Sequence, residues 1–222
     1  MLLDIIRGQD PVYIIIGVLV SAFAVFCILP IHEFAHAFTA NKLGDDTARL
    51  SGRLTLDPFA HIDWFGALMI LIVGFGYAKP VPVNIHRTKM KNKKLAMAII
   101  AVAGPVSNLI LGLISTLVYV FINNNFTADS IAATALFYFF YYCAMININL
   151  AVFNLIPVPP LDGSRILTAV LPDSAYYKLL QYERYITIVI LVLLITGILT
   201  KPLGFLSGVI SDWFEALANL IF

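Results

Sequence analysis

Long apolar stretches separated by short polar ones run along this chain, and their lengths predict membrane-spanning helices. A spanning helix needs roughly 17 to 25 residues. Three apolar runs, 12–38, 95–122 and 131–156, reach that length, and a fourth, 185–200, lies near its lower limit. Residues 64–75 are too few to cross, which favours a re-entrant segment or a helix buried in protein. The pattern therefore predicts four spans.

The final stretch, residues 203–222, is typical of an apolar helix with one polar stripe. The residues of the stripe recur at helical spacing and are Gly204, Ser207, Gly208, Ser211, Asp212, Glu215 and Asn219. Such a helix either lies in the membrane interface or packs as an extra span, and the pattern leaves both open. We therefore expect an all-α polytopic membrane protein with a bundle of about four to six transmembrane helices. It would form a single membrane-embedded domain over 1–222, with a core at 11–172 and C-terminal helices at 173–222.

The composition agrees with a membrane protein and excludes several other classes. Hydrophobic residues make up 60% of the 222 residues and charged residues 12%. The mean hydropathy of +0.91 is too high for an ordinary soluble domain. The net charge of +1 gives no reason to expect a nucleic-acid partner. Cys27 and Cys143 both fall within apolar runs, so we interpret them as buried packing residues rather than a disulfide.

The distribution of charge predicts the orientation of the spans. Residues 86–94 carry five basic residues and no acidic one, whereas residues 123–130 carry one acidic residue and no basic one. Because short basic loops remain in the cytoplasm, the first of these loops is expected on the cytoplasmic side. The helix that begins near Leu95 then runs outward, and the helix that begins near Ile131 runs inward. We therefore expect a multi-pass protein of the cell membrane.

A cluster of metal-binding residue types lies in the first span, in the order His32, Glu33, Phe34, Ala35, His36. On a helix, residues four apart are separated by about 40° and 6 Å, so the two imidazoles can share one metal ion. Glu33 lies about 100° from His32, where it can reach a metal-bound water without being a ligand. A buried polar cluster that joins helices is the alternative. Ionisable residues inside a membrane helix are functional by default, however, so the spacing predicts one zinc ion per chain.

A catalytic zinc needs a third protein ligand and one open position. The strongest candidate is Asp162, near the end of the sequence NLIPVPPLDG at residues 154–163. Its three prolines forbid regular helix, so the third span is expected to unwind and to present a carboxylate at the depth of the histidines, toward the cytoplasmic side. Gly163 allows the close approach that this requires. Asp162 can also cap the segment that starts at Ser164, and the two roles need different oxygens.

Three motifs together resemble a known family. HEFAH (32–36), GPVSN (104–108) and NLIPVPPLDG (154–163) are similar to the three signatures of the site-2 protease family of intramembrane metalloproteases. GFGYAKPVPVN (74–84) resembles a loop of the compact prokaryotic members, which lack a PDZ or CBS domain. The resemblance covers about residues 11–172, and no remaining stretch is long enough for such an accessory domain.

The resemblance implies a three-helix catalytic core with the zinc ligands His32, His36 and Asp162. It implies hydrolysis of peptide bonds in or near the transmembrane segments of substrate proteins, the reaction of regulated intramembrane proteolysis. It also implies that Asn154 and Asn108 position the scissile carbonyl or stabilise its oxyanion. From the residues alone, Asn108 equally belongs to a small-residue face that lets helices pack closely. Asn154 lies where unpaired carbonyls need donors, which is a structural alternative.

In the expected mechanism, zinc activates a water and polarises the substrate carbonyl, while Glu33 transfers the water proton to the leaving amine. Pro30 should disturb the helix beside the ligands. Two other classes share part of the pattern: a membrane metal transporter, which usually has internal symmetry, and a catalytically silent homologue that binds a membrane partner. No repeat of HEFAH or LDG is present and Glu33 is intact, which argues against both.

Residues 49–57 have the alternation of a strand, with Leu50, Leu54 and Leu56 on one side. The polar residues Arg49, Ser51, Arg53, Thr55 and Asp57 lie on the other side. Residues 81–84 are expected to pair with this strand, which gives a small membrane-associated β element. A substrate helix must be unwound before it is cut, and a free strand edge near the zinc can bind its exposed backbone. A cytoplasmic hairpin without a substrate role is the alternative.

Overall fold

The regular structure of this protein is helical. The computed structural model describes residues 11–73, 78–126 and 130–222; predictions about residues 74–77 and 127–129 lie outside the described residues. The α-helices are α1 (Pro11–Phe23), α2 (Leu29–Lys42), α3 (Thr47–Leu50), α4 (Pro58–His61), α5 (Trp64–Val73), α6 (Lys93–Asn125), α7 (Ile131–Asn154), α8 (Asp162–Ile166), α9 (Asp173–Gln181), α10 (Glu183–Ile195) and α11 (Thr200–Ile221). A π-helical turn lies at Ala24–Ile28, and 3-10 turns lie at Ile85–Arg87 and Leu167–Ala169.

Three helical stretches are long and apolar enough to cross a membrane. They are Gly17–Lys42, Lys93–Asn125 and Ile131–Asn154, with 26, 33 and 24 residues, and they correspond to the first three predicted spans. The fourth predicted span, 185–200, does not form. Helix α10 there has 13 residues, which gives about 20 Å, short of the roughly 30 Å of a hydrocarbon core. Gly197, at φ 75°, follows it in a backbone conformation that ends helices.

Helices α6 and α7 pack antiparallel at the centre of the bundle. The Tyr119 ring of α6 meets the rings of Phe137 and Tyr141 of α7 edge to face, with centroids 5.6 Å apart in each case. Two turns earlier on α6, Gly112 lies so near α7 that a Cβ there would be 3.1 Å from the Ile148 side chain. Small residues of this kind let membrane helices approach closely.

Helix α11 packs along α6 and α7 with part of its polar stripe, including Ser207 and Ser211, turned inward. Ser207 and Ser211 are buried, at 4% and 6% exposure. The Tyr119 hydroxyl donates a hydrogen bond to Glu215 Oε1 at 2.6 Å. Of the two arrangements that the sequence left open for residues 203–222, the structure therefore shows packing against the bundle.

The direction of α11 determines how residues 155–199 run. Tyr119 pairs with Glu215, and the Asn124 amide donates to Asn219 Oδ1 at 3.5 Å, so α11 runs parallel to α6. Helix α7 is antiparallel to α6 and returns the chain to the end of the bundle where α6 begins. Residues 155–199 therefore start and finish at the same end, and α10 makes no net crossing.

A π-helical turn interrupts the first span just before the HEFAH motif. The N–H of Leu29 donates to the carbonyl of Ala24, five residues earlier. Pro30, in the first turn of α2, has no N–H, and its ring would clash with the carbonyl four residues before it. The wider turn accommodates the proline, so the predicted disturbance beside the histidines is confirmed.

The strand predicted at 49–57 and the small β element are wrong, since the residues that the structure describes contain no strand. Thr47–Leu50 form the one-turn helix α3 instead. The Asp45 carboxylate accepts hydrogen bonds from the N–H and hydroxyl of Thr47, at 3.0 and 2.5 Å, and so stabilises the start of this turn. Residues 78–84 lack regular structure, and the strand-edge route for substrate binding through 49–57 is abandoned.

Helix α5 has 10 residues, too few to cross, as predicted. Three of its large apolar side chains are not buried in protein: Trp64, Phe65 and Leu68 are 70%, 63% and 51% exposed. A re-entrant segment in contact with lipid remains the prediction for this part of the chain.

Candidate metal centre

Three potential ligand atoms from two separate parts of the chain meet at one point. His32 and His36 lie one turn apart on α2, both 6% exposed, with their Nε2 atoms 3.1 Å apart. The Asp162 Oδ2, from the first residue of α8, is 3.2 Å from each of these nitrogens. The structure thus brings together the three residues predicted as ligands.

The spacing of these atoms fits a zinc ion. Zinc binds histidine nitrogen and carboxylate oxygen at about 2.0–2.1 Å in a tetrahedron, whose ligand atoms are then about 3.3–3.4 Å apart. The three observed separations, 3.1, 3.2 and 3.2 Å, are close to this value. Three protein ligands also leave the fourth position of a tetrahedron open, as in catalytic zinc sites.

A hydrogen bond does not explain the approach of a neutral His36 imidazole to Asp162. His36 Nδ1 lies 2.7 Å from the carbonyl oxygen of Ile100, an acceptor, so Nδ1 carries the proton. In the neutral imidazole, Nε2 then presents a lone pair to Asp162 Oδ2, which is also an acceptor. A cation between these atoms would stabilise the arrangement, and the Ile100 carbonyl holds His36 in the tautomer that a metal would require.

The Asp162 carboxyl is mostly buried, with 13% of its side chain exposed. Burial raises its pKa, but when no metal ion is bound, protonated His32 and His36 lower it by more through hydrogen bonds and positive charge, so its pKa lies well below the ordinary value. The group is therefore ionised at neutral pH, as a zinc ligand must be.

The break after α7 delivers Asp162 to the histidines. Helix α7 ends at Asn154, and α8 begins at Asp162 without a side-chain cap. The N–H and hydroxyl of Ser164 both donate to the Leu161 carbonyl, so Asp162 does not take the capping role. A Cβ on Gly163 would lie 2.4 Å from the carbonyl oxygens of residues 155 and 156, so this fold of the segment requires glycine.

Gly104 has a steric role that the sequence did not indicate. It lies on α6 opposite the histidines, and a Cβ there would be 2.3 Å from His36 Nε2 and 2.6 Å from His32 Nε2. The absent side chain leaves room beside both ligand atoms. The motif GPVSN drew attention to this position, but only the packing of α6 on α2 shows that its glycine borders the metal site.

Glu33 lies beside the ligands on α2 and is half-buried. Its Oε2 accepts a hydrogen bond from the Val81 N–H at 3.0 Å, whereas Oε1 makes none to the described residues. One carboxylate oxygen is therefore held by the backbone of residues 78–84, and the other remains available. Sequence patterns gave no indication of the contact with Val81.

The two asparagines occupy different environments. Asn108 is fully buried, one turn along α6 from Gly104, and neither its Oδ1 nor its Nδ2 has a hydrogen-bond partner in the described part of the protein. Asn154, the last residue of α7, is half-buried. A buried amide without partners is unfavourable, which makes Asn108 a candidate for binding a group that is not part of the chain.

Comparisons with known proteins identify a family and several relatives of this chain. The model of Peptidase family M50 matches residues 20–128 and 122–198. The chain is 43% identical to "Putative zinc metalloprotease YwhC" of Bacillus subtilis over 86% of this chain and 82% of that protein. It is 29% identical to "Putative zinc metalloprotease Rip2" of Mycobacterium tuberculosis over 93% of this chain and 74% of that protein. No solved structure matches the chain significantly.

The matched family is one of peptidases, so a zinc-dependent hydrolase, and not a metal transporter, is the class supported. The family match extends the resemblance seen in the three motifs to residues 20–198, which include nearly all of the three long apolar helices. The chain belongs to Peptidase family M50, the site-2 protease family, and is a zinc metalloprotease of the membrane.

Proposed function

We propose that this metalloprotease hydrolyses peptide bonds in or near the transmembrane segments of other membrane proteins, as in regulated intramembrane proteolysis. The observation that supports this most directly is the meeting of His32, His36 and Asp162 side chains within one bundle of apolar helices. A site built on membrane helices is suited to substrates that themselves lie in the bilayer.

In this proposal His32 Nε2, His36 Nε2 and Asp162 Oδ2 hold the zinc ion. Zinc bound there acts as a Lewis acid on the scissile carbonyl and increases the acidity of water. Glu33 accepts a proton from the attacking water at Oε1, because Oε2 is engaged by the Val81 N–H. The same oxygen then returns the proton to the amine as the peptide bond breaks.

The asparagines are proposed to bind the substrate carbonyl. The unpartnered amide of Asn108 can donate from Nδ2 to the carbonyl oxygen, whose negative charge grows as the water attacks. Asn154, at the end of α7 before the segment that carries Asp162, is proposed to act in the same way from another side. A polar group left unpaired in the free enzyme gains its partner only when substrate is bound.

The site is proposed to face the cytoplasm. The ends of α2 and α7 and the beginning of α6 lie at the same end of the bundle, because His36 contacts Ile100 and Asp162 contacts both histidines. The basic residues of 86–94 precede α6 at this end, and such loops remain in the cytoplasm.

This orientation predicts the position of both ends of α6 and of the end of α11. In a protein whose Cys27 and Cys143 are replaced by alanine, a membrane-impermeant maleimide should label Asn125→Cys and Phe222→Cys in intact cells. Lys91→Cys should react only after the membrane is permeabilised. Labelling of Phe222→Cys with the pattern of Lys91→Cys would show that α11 does not cross.

The proposed reaction is tested with Glu33→Gln. The variant should retain about one zinc per chain, since Glu33 is not a ligand, and should lose cleavage of a membrane-embedded reporter by at least about a thousandfold, since the general base is removed. Zinc content and reporter cleavage are measured on the same purified, reconstituted protein. Glu183→Gln, at an exposed position of α10, is the matched control and should cut normally.

Two results would contradict the proposal. A Glu33→Gln variant that cuts the reporter at the wild-type rate would show that Glu33 is not the general base. A wild-type protein that cuts only soluble peptides, and never the reporter in a bilayer, would keep the peptidase chemistry but exclude membrane segments as substrates.

A further inference from the structure

Arg53 is buried, although the sequence placed it on the polar side of an exposed strand. Its residue is 7% exposed, and its own N–H donates to the Ala48 carbonyl at 2.8 Å. The guanidinium donates to three backbone carbonyls: Nη1 to Ala60, and Nη2 to Lys79 and to Pro80, the last at 3.1 Å. A buried cation thus connects α4 with the segment that follows α5.

The partners of Arg53 require the shape of a guanidinium. Arginine presents several N–H donors in a planar fork, so it can bind carbonyls of two segments at once. Lysine has a single charged nitrogen at the end of a flexible chain. The Lys79 N–H also donates to the His61 carbonyl at 2.9 Å. A backbone hydrogen bond therefore connects α4 with the segment after α5, in addition to the contacts of Arg53.

Val81, the residue after the two carbonyls that Arg53 binds, forms a hydrogen bond with Glu33. Val81 donates its N–H to Glu33 Oε2 at 3.0 Å, and its side chain packs at 6% exposure against Ala37 and Ala48. Proline on each side of Val81 restricts the backbone there. A shift of the Lys79 and Pro80 carbonyls would therefore move the Val81 N–H, and with it the carboxylate of Glu33.

The charge of Arg53 also acts on this carboxylate. Burial lowers the pKa of Arg53, and the nearby Glu33 opposes the shift. Arginine stays protonated at neutral pH all the same.

We propose that Arg53 is a positioning residue for catalysis: by binding the carbonyls of Lys79 and Pro80, it fixes the Val81 N–H that orients the Glu33 carboxylate. The inference rests on the proposed role of Glu33 as general base. Arg53 does not touch the ligands, so its removal should alter the reaction step and leave zinc in place.

The test compares Arg53→Gln and Arg53→Lys with Arg49→Gln. Arg49 is the matched control, because it lies nearby with 62% of its side chain exposed, in a surface ion pair with Asp46 at 3.7 Å. In Arg53→Gln, kcat should fall on the order of 10- to 100-fold, since a displacement of about 1 Å in a reacting group can have this effect. KM should change less than about threefold, and zinc content should stay at one per chain.

The remaining variants separate positioning from a role in folding. Arg53→Lys should retain more kcat than Arg53→Gln but less than wild type, and Arg49→Gln should match wild type. If Arg53→Gln does not fold, Arg53→Lys decides: reduced kcat with full zinc supports the proposal. Loss of zinc in step with activity, or a raised KM with unchanged kcat, would overturn it.

A double-variant cycle tests the route through Val81. Val81→Pro removes the N–H but keeps an extended backbone. If Arg53 acts through this N–H, the combined variant Arg53→Gln/Val81→Pro should lose no more kcat than the worse single variant, whereas independent effects would multiply. Multiplied losses would overturn the proposal. If Glu33→Gln is inactive but Arg53→Gln cuts at the wild-type rate, the positioning role of Arg53 is wrong and the proposed function stands. If Glu33→Gln is active, the proposed role of Glu33 as general base is itself wrong.

Discussion

Replacing Gly104 with alanine is expected to abolish zinc binding and, with it, peptidase activity. The added Cβ would lie 2.3 Å from His36 Nε2 and 2.6 Å from His32 Nε2. Since zinc binds histidine nitrogen at about 2.0–2.1 Å, the methyl group would occupy space that the ion needs. Neither side can retreat easily, because His36 is hydrogen-bonded to the Ile100 carbonyl of the same helix as Gly104.

Zinc per purified chain, measured by elemental analysis after dialysis, checks this expectation. Gly112→Ala is the matched control on the same helix: its Cβ would meet the Ile148 side chain at 3.1 Å, where a small rotation of the isoleucine relieves the contact. This control should keep its zinc. A Gly104→Ala protein with full zinc content and wild-type cleavage would show that α2 and α6 do not approach as described.

The three candidate metal ligands could be selected from the sequence because local rules pointed to them. Two histidines four residues apart lie on the same side of any helix, whatever surrounds it. The prolines before Asp162 cannot continue a helix, so the sequence alone indicates that Asp162 follows a non-helical segment. What the sequence could not show is that α2 and the segment that carries Asp162 meet, which the separations of 3.1 and 3.2 Å between their ligand atoms now show.

The environment of Glu33 could not be predicted in this way. Alternation along 49–57 placed Arg53 on an exposed face, but its carbonyl partners reach as far as Pro80, 27 residues away. The periodicity of apolar residues gives no information about contacts between residues so far apart in the sequence. Tertiary hydrogen bonds therefore overrode the strand preference of this segment, and the contact from Val81 to Glu33 belongs to the same unpredicted set.

The span prediction failed at 185–200 because apolar length was the sole criterion. Helix α10 is apolar but only 13 residues long. Helix α11 has 22 residues, which is long enough to cross, but its polar positions left its placement open in the sequence. Glu215 is accommodated there by Tyr119, a partner 96 residues away, so its polarity is matched inside the bundle rather than exposed to lipid.

Replacing Asp162 with asparagine should weaken zinc binding on the order of a hundred- to a thousandfold. Structural zinc sites with four protein ligands contribute about 10–16 kcal/mol, so one ligand accounts for about 2.5–4 kcal/mol of binding free energy. Asparagine keeps the shape of the side chain but removes its charge. Glu33 would then be the remaining carboxylate beside the ion, so part of the divalent charge would be uncompensated in a buried site, which is strongly unfavourable.

Competition with a zinc-selective fluorescent chelator measures this loss on the intact protein in detergent. Asp212→Asn, an exposed position of α11, is the matched control and should bind as tightly as wild type. If Asp162→Asn kept wild-type affinity, the carboxylate that lies 3.2 Å from each histidine would not be a ligand. The zinc would then have to be bound by the two histidines of α2 and a third ligand other than Asp162. The non-helical segment after α7 would not serve to place a metal ligand.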